Sequence, residues 1–167
     1  MTPERAAYHR LMLLAGFCRE YERELDEALE TLDPITAPVL DLAFCMSDLE
    51  KTVSVLCNYT LDHSVDEQRV YDMIVEAFRR QYVDKQMNAV EVCEALNKIQ
   101  RICDFGDPWI DLYNYLYEYE LLDEGMISEE VFETGFVSAF LHGKRLDVWA
   151  LQREHNNKRK GRFPWLK

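Results

Sequence analysis

Apolar residues recur along most of this chain at intervals of three and four, the spacing of one face of an α-helix and not of a strand. Ala7, Leu11, Leu14, Cys18, Tyr21, Leu25, Ala28 and Leu32 alternate four and three apart. They predict a first helix from Pro3 to Leu32 carrying a heptad seam, with Thr2 as its cap and Pro3 at the first helical position. Asp33-Pro34 interrupts the pattern and Thr36-Ala37-Pro38 restarts it. A second helix then follows Val39, Leu42, Ala43, Met46, Leu49, Val53 and Leu56. Ser64 and Glu67 have the spacing of a capping box ahead of a third helix, whose apolar face is Val70, Tyr71, Ile74, Val75, Phe78 and Tyr82. Asn88 and Glu91 repeat that device ahead of a fourth, with Val92, Leu96, Ile99 and Cys103 inward.

Gly106 ends the fourth helix, and Asp107-Pro108 opens a fifth that runs to about Leu122. Ser128 caps a sixth helix that ends at His142, before Gly143. Leu146, Trp149 and Ala150 mark a seventh, from Arg145 to about Asn156. The pattern therefore predicts an all-α, single-domain helical bundle of six to seven helices: an acidic domain over 1–157 and a basic, aromatic tail over 158–167. Six glycines and five prolines in 167 residues leave too few turn residues for an all-β alternative.

Charge changes this picture more than composition does. The formal net charge is −12, which favours basic partners and argues against direct nucleic-acid binding. Between Ile102 and Gly143 there are ten acidic residues and no Lys or Arg, whereas Lys144 to Lys167 holds eight basic residues against Asp147 and Glu154. The fifth helix lies inside the acidic block and is rich in aromatic residues. Trp109, Asp111, Tyr115, Tyr117, Glu118, Tyr119 and Glu120 form a candidate face for gripping Arg or Lys side chains, by charge pairing and by cation–π contact. The same rings could equally fill the bundle core. In the tail, Lys158, Arg159, Lys160, Arg162, Phe163 and Trp165 could lie on the acidic body, dock into a partner or a second protomer with Leu166 as a further apolar contact, or, against the repulsion of the acidic body, touch nucleic acid by phosphate contacts and stacking.

Catalytic and cofactor signatures do not emerge. Five cysteines, odd in number and without CxxC spacing, predict neither a disulfide framework nor a zinc site, and suit a reducing cytoplasm. No acid stands three residues before His9, His63, His142 or His155, which removes the Glu-x-x-His pattern of a di-iron bundle. No glycine-rich phosphate loop occurs. Leu11 to Cys18 is too short for an export signal, with bulky Phe17 ahead of the cysteine, and no apolar run reaches membrane-spanning length. The expectation is a cytoplasmic, non-enzymatic protein without metal or cofactor that binds a basic, nucleic-acid-handling partner. An acidic inhibitor or immunity-type protein, encoded by a phage or mobile element and acting on a nuclease or CRISPR effector as a nucleic-acid mimic, fits that description. The alternatives are a structural or regulatory homo-oligomer, dimeric through the first helix, and, behind it, a helical-bundle enzyme or ligand carrier.

Overall fold

Hydrophobic periodicity marks helical faces but is blind to backbone reversals shorter than a turn, and the structure differs from the expectation where such reversals occur. The computed structural model describes residues 1–32, 34–103 and 110–162, and the side chains of all of these but 110–114 and 160–162. The described residues form nine α-helices and no strand: α1 (Pro3–Leu14), α2 (Arg19–Thr31), α3 (Ala37–Cys45), α4 (Leu49–Leu61), α5 (Glu67–Val83), α6 (Ala89–Ile102), α7 (Ile110–Asp123), α8 (Glu129–His142) and α9 (Val148–Arg162).

The helix expected from Pro3 to Leu32 is two helices. Gly16 takes φ +94°, and the amides of Gly16 and Phe17 turn back to the carbonyls of Leu13 (3.0 Å) and Met12 (2.8 Å). That pair of bonds is a Schellman cap, which glycine closes without a Cβ penalty. The heptad seam is cut with it: Leu14 and Cys18 are exposed, and Tyr21 is the residue of α2 that is fully buried. The second predicted helix also divides. Met46 adopts φ 53° and ψ −122°, the first corner of a type II′ turn closed by the Asp48 amide on the Cys45 carbonyl at 3.0 Å. Asp48 then caps α4 by accepting from the Lys51 amide at 3.1 Å.

Other boundaries follow side-chain capping. Asp66, not Ser64, caps α5, accepting from the Arg69 amide at 3.1 Å. Asn88 and Glu91 form the expected reciprocal box: the Asn88 amide donates to Glu91 Oε2 at 2.7 Å and the Glu91 amide to Asn88 Oδ1 at 3.0 Å. Ser128 and left-handed Gly143 bracket α8 as expected. The last helix begins later and ends later than predicted. Asp147 caps it through the Ala150 amide, and it continues through Lys158 to Arg162, so the first half of the expected tail is helical. Phe163 and Trp165 lie outside the described residues, as does the predicted start of the fifth helix, including Trp109.

The chain divides into two compact units, Met1–Ala77 with Lys98–Trp109, and Phe78–Asn97 with Ile110–Lys167. In the first, α1 packs on α4, α4 on α3, and α3 on α2, around Ala6, Leu13, Tyr21, Leu42 and Leu56. In the second, α8 packs between α7 and α9. α5 and α6 contribute residues to both units.

A non-glycine residue in the Met46 conformation stores about 1–3 kcal/mol of strain, and its 85% exposed side chain recovers little by packing. Replacing Met46 with glycine is therefore expected to stabilise the protein by about 1 kcal/mol, the relieved strain exceeding glycine's ~0.5–1 kcal/mol of extra unfolded-state entropy. A urea midpoint that rises at unchanged slope would show this.

Candidate functional site

The second unit is organised by α8, on which Phe132, Phe136 and Phe140 recur every four residues and so share one face. All three are buried, and the Phe136 and Phe140 rings stack with centroids 4.8 Å apart. Aromatic side chains from neighbouring helices meet this ladder edge-on. Tyr82 of α5 lies 5.5 Å from Phe136, Tyr115 of α7 lies 5.4 Å from Phe140, and Tyr119 lies 6.4 Å from Phe132. Edge-to-face contact sets the positive rim of one ring against the negative face of the other. The Arg79 guanidinium, 5.6 Å over Phe140, also donates to the Phe140 carbonyl at 3.0 and 3.1 Å.

This packing decides the phase of α7. Tyr115 and Tyr119, one turn apart, point at the ladder, and Leu116 is buried beside them. Tyr119 also donates to Glu94 Oε1 at 3.4 Å. Tyr117 and Glu120 fall on the other side and are exposed. The predicted face is thus divided, Tyr115 and Tyr119 inward and Tyr117 and Glu120 outward, while the Asp111 side chain lies outside the described residues. Of the predicted tail residues, Lys158 is exposed on α9 and pairs with Glu154 at 3.3 Å, Arg159 is exposed beside it, and Lys160 and Arg162 are placed by their helical backbone alone.

Glu118 stands at the margin between the two faces. Gly135 of α8 makes room for it: a Cβ there would lie 2.6 Å from Glu118 Oε2 and 3.0 Å from Val148 Cγ1. A glycine inside a helix costs about 1 kcal/mol relative to alanine, and here it leaves the space that the Glu118 carboxylate and Val148 occupy. Burial pushes the Glu118 carboxyl above the usual carboxylate range, with the nearby Arg145 charge opposing that rise. Glu118 lines an open cleft of about 360 Å³ together with Tyr117, Arg145, Leu146, Asp147, Val148 and Trp149. Tyr117 and Trp149 are 43% and 40% exposed there. Two exposed rings beside a half-buried carboxylate can hold a cation, with cation–π attraction on the rings and Coulomb attraction at the base. Trp149 was legible in the sequence only as a helix marker. Its nearness to Tyr117 depends on how the segment Arg145–Trp149 returns beside α7.

A second polar cluster, in the first unit, had no sequence signature. Arg5 donates through Nη2 to Glu20 at 2.9 Å and through both Nε (2.7 Å) and Nη2 to Glu24, and the Tyr8 hydroxyl donates to Glu20. His9, 1% exposed, meets Glu24 Oε2 through Nε2 at 2.9 Å, and its Nδ1 has no hydrogen-bond partner among the described residues. Burial depresses the His9 imidazolium to about 4, the Arg5 charge adding to the effect and Glu20 opposing it. The cluster borders a larger cavity, about 440 Å³, lined also by Tyr21, Leu25 and Val39. Its carboxylates are already engaged by Arg5, Tyr8 and His9, which makes it a tie between α1 and α2 before it is a receptor for a ligand. Among the described residues no group of three or more His, Cys, Asp or Glu side chains is disposed to hold a metal ion. No helix among them is long and apolar enough to cross a membrane.

These two groups predict opposite pH dependences. The raised carboxyl of Glu118 means that folding disfavours its charged form, so its cost is present at neutral pH and disappears as pH falls below the ordinary value of 4.5. Glu118→Gln is expected to raise the melting temperature at pH 7 and to lose that advantage below about pH 4.5. For His9 the folded-state value lies below the unfolded 6.5, so the unfolded chain binds the extra proton and stability falls as pH drops from 6.5 to about 4. That loss amounts to roughly 3 kcal/mol, and chemical denaturation of His9→Gln beside the parent protein should show a flatter profile across this window.

No protein-family model matches the chain, and neither a curated protein nor a solved structure matches it.

Proposed function

We propose that this chain is a non-enzymatic binding protein that takes a cationic side chain of a basic protein partner into the cleft between Tyr117 and Trp149. The observation that carries this reading is the pairing of two exposed rings with the half-buried Glu118 carboxylate in one open cleft. An arginine entering there would place its guanidinium plane against an aromatic face and its N–H groups toward the carboxylate, a geometry that lysine matches less well. In the same unit, the described part of the acidic block supplies exposed Glu120, Asp123, Glu124, Glu129, Glu130 and Glu133. Charges of this kind, outside the contact itself, accelerate encounter with a basic surface, while the desolvated anchors hold the complex.

Nucleases and other nucleic-acid-handling proteins present Arg and Lys in grooves built for phosphate. With a net charge of −12, this protein is suited to occupy such a groove as a nucleic-acid mimic, in the manner of an inhibitor or immunity protein. The raised carboxyl of Glu118 supports the reading from another direction. The charged form is costly where it is buried, and a cation bound beside it would relieve that cost.

The test is affinity capture from lysate of the native host, with nuclease treatment to remove bridging nucleic acid, followed by titration of the captured basic protein against variants. Glu118→Gln and Tyr117→Ala are each expected to weaken binding by tenfold or more, about 1.4 kcal/mol, with binding of the parent weakening as salt rises. Unchanged affinity in both variants would remove the cleft as the docking site.

A further inference from the structure

The corner between α3 and α4 exposes large apolar side chains that the core does not use. Phe44 is 81% exposed and Met46 85%, and Leu40, one turn before Phe44, and Leu49, the first residue of α4, are exposed as well. Helix α3 buries Val39, Leu42 and Cys45 on one side while presenting Leu40 and Phe44 on the other. A helix apolar on both sides belongs in a core or at an interface. Four such residues within one ten-residue segment form a patch, whereas exposed leucines scattered singly would need no explanation. The Met46 backbone sharpens the point: a strained conformation that glycine would adopt freely is held by a residue whose side chain points into water.

The rim of this patch is acidic. Asp41, Asp48 and Glu50 flank it, and the cation in the segment, Lys51, is paired with Asp48 at 2.8 Å. The unit that carries the patch has eighteen acidic residues against eight basic. What covers it should therefore offer apolar or aromatic anchors among cations. The end of this same chain has that chemistry. Residues 158–167 contain Lys158, Arg159, Lys160, Arg162 and Lys167, no acid, and Phe163, Trp165 and Leu166. Met46 is well suited to meet a ring, since a thioether packs favourably at an aromatic edge and adapts its shape to the partner.

We infer that the α3–α4 corner of one copy receives the basic, aromatic segment 158–167 of a second copy. The chain would then associate with itself through apolar anchoring of Phe163, Trp165 and Leu166 on Phe44 and Met46, with the tail cations over Asp41, Asp48 and Glu50. This mode of pairing replaces the helix-one seam, which the Gly16 cap interrupts. It does not depend on the cleft formed by Tyr117, Glu118 and Trp149.

Sedimentation equilibrium over a concentration series up to tens of micromolar tests the inference, joined by titration of a synthetic peptide of residues 158–167 into protein truncated after Arg162. Expected are a parent protein whose mass rises with concentration and falls back with salt, and monomers of unchanged helicity for both Phe44→Ser and the truncation. The peptide should bind the truncated protein, and binding should weaken at least tenfold when Phe44→Ser is added. Met46→Gly separates docking from folding, because it should associate more weakly while being more stable. A parent protein that stays monomeric throughout overturns the inference, and so does association unaffected by Phe44→Ser. Glu118→Gln should leave self-association unchanged; if it abolishes association, the tail docks in the cleft and the corner is not its receptor.

Discussion

Three phenylalanines at four-residue intervals on one helix can be kept from water only if neighbouring helices lay apolar or aromatic surface along the whole row. That demand is what the second unit is built around. Phe132, Phe136 and Phe140 are met by Tyr82, Tyr115 and Tyr119, each edge-on, and the contact fixes the rotation of α7 about its own axis. Once Tyr115 and Tyr119 face inward, a period of 3.6 residues leaves Tyr117 no choice but the outer side. Glu118 falls at the boundary, where burial raises its carboxyl and where Gly135, having no Cβ, admits it. The acidic, aromatic cleft is thus a by-product of how the ladder is covered. The residues that shape it most, Phe136, Phe140 and Gly135, are not residues a ligand would touch.

The first unit rests on backbone reversals of a different kind. At Gly16 the chain leaves α1 through a Schellman cap, and α2 returns beside α1, so that Arg5, Tyr8 and His9 meet Glu20 and Glu24. Buried or half-buried charges of this sort are tolerable because they satisfy one another. Two of the six acids of α2, Glu20 and Glu24, are therefore engaged in holding two helices together. The Met46 reversal has a different character, because its turn is closed by local hydrogen bonds but without a glycine at the positive-φ corner. A methionine in a glycine conformation is held there by the packing of α3 and α4 on either side, and its outward side chain joins Leu40, Phe44 and Leu49 in giving the corner its apolar character.

Charge is distributed by unit otherwise than by sequence position. Along the chain, an acidic body precedes a basic end. In the second unit eight of the ten acids of the acidic block occur together with the basic end, thirteen acids against eleven basic residues in all, and the excess of negative charge falls in the first unit. Electrostatic attraction between exposed groups is screened beyond about 10 Å at ordinary ionic strength, so a net charge of −12 describes solubility and steering more than any particular contact. The contacts themselves come from where an aromatic side chain and a carboxylate share a cleft, or where apolar side chains stand among acids.

How much was legible in the sequence divides along a physical line. Helical class, the reciprocal cap of Asn88 and Glu91, and the limits of α8 at Ser128 and Gly143 were all readable, because each depends on side chains within four residues of one another. The breaks at Gly16 and Met46 were not, since an apolar pattern of threes and fours continues through both and the reversal lies in one or two φ angles. The choice of Asp66 over Ser64 as a cap, and the continuation of α9 to Arg162, turned on competition between nearly equivalent local options. Among the aromatic residues of α7, the sequence determined that some face would be rich in rings and acids. Only the tertiary structure decided which of them meet α8 and which meet water, because that rotation is set by the Phe ladder about twenty residues away in the chain. Side chains far apart in sequence, such as Tyr117 and Trp149 or His9 and Glu24, come together through packing, which balances the burial of a whole unit and is encoded in no short stretch of it.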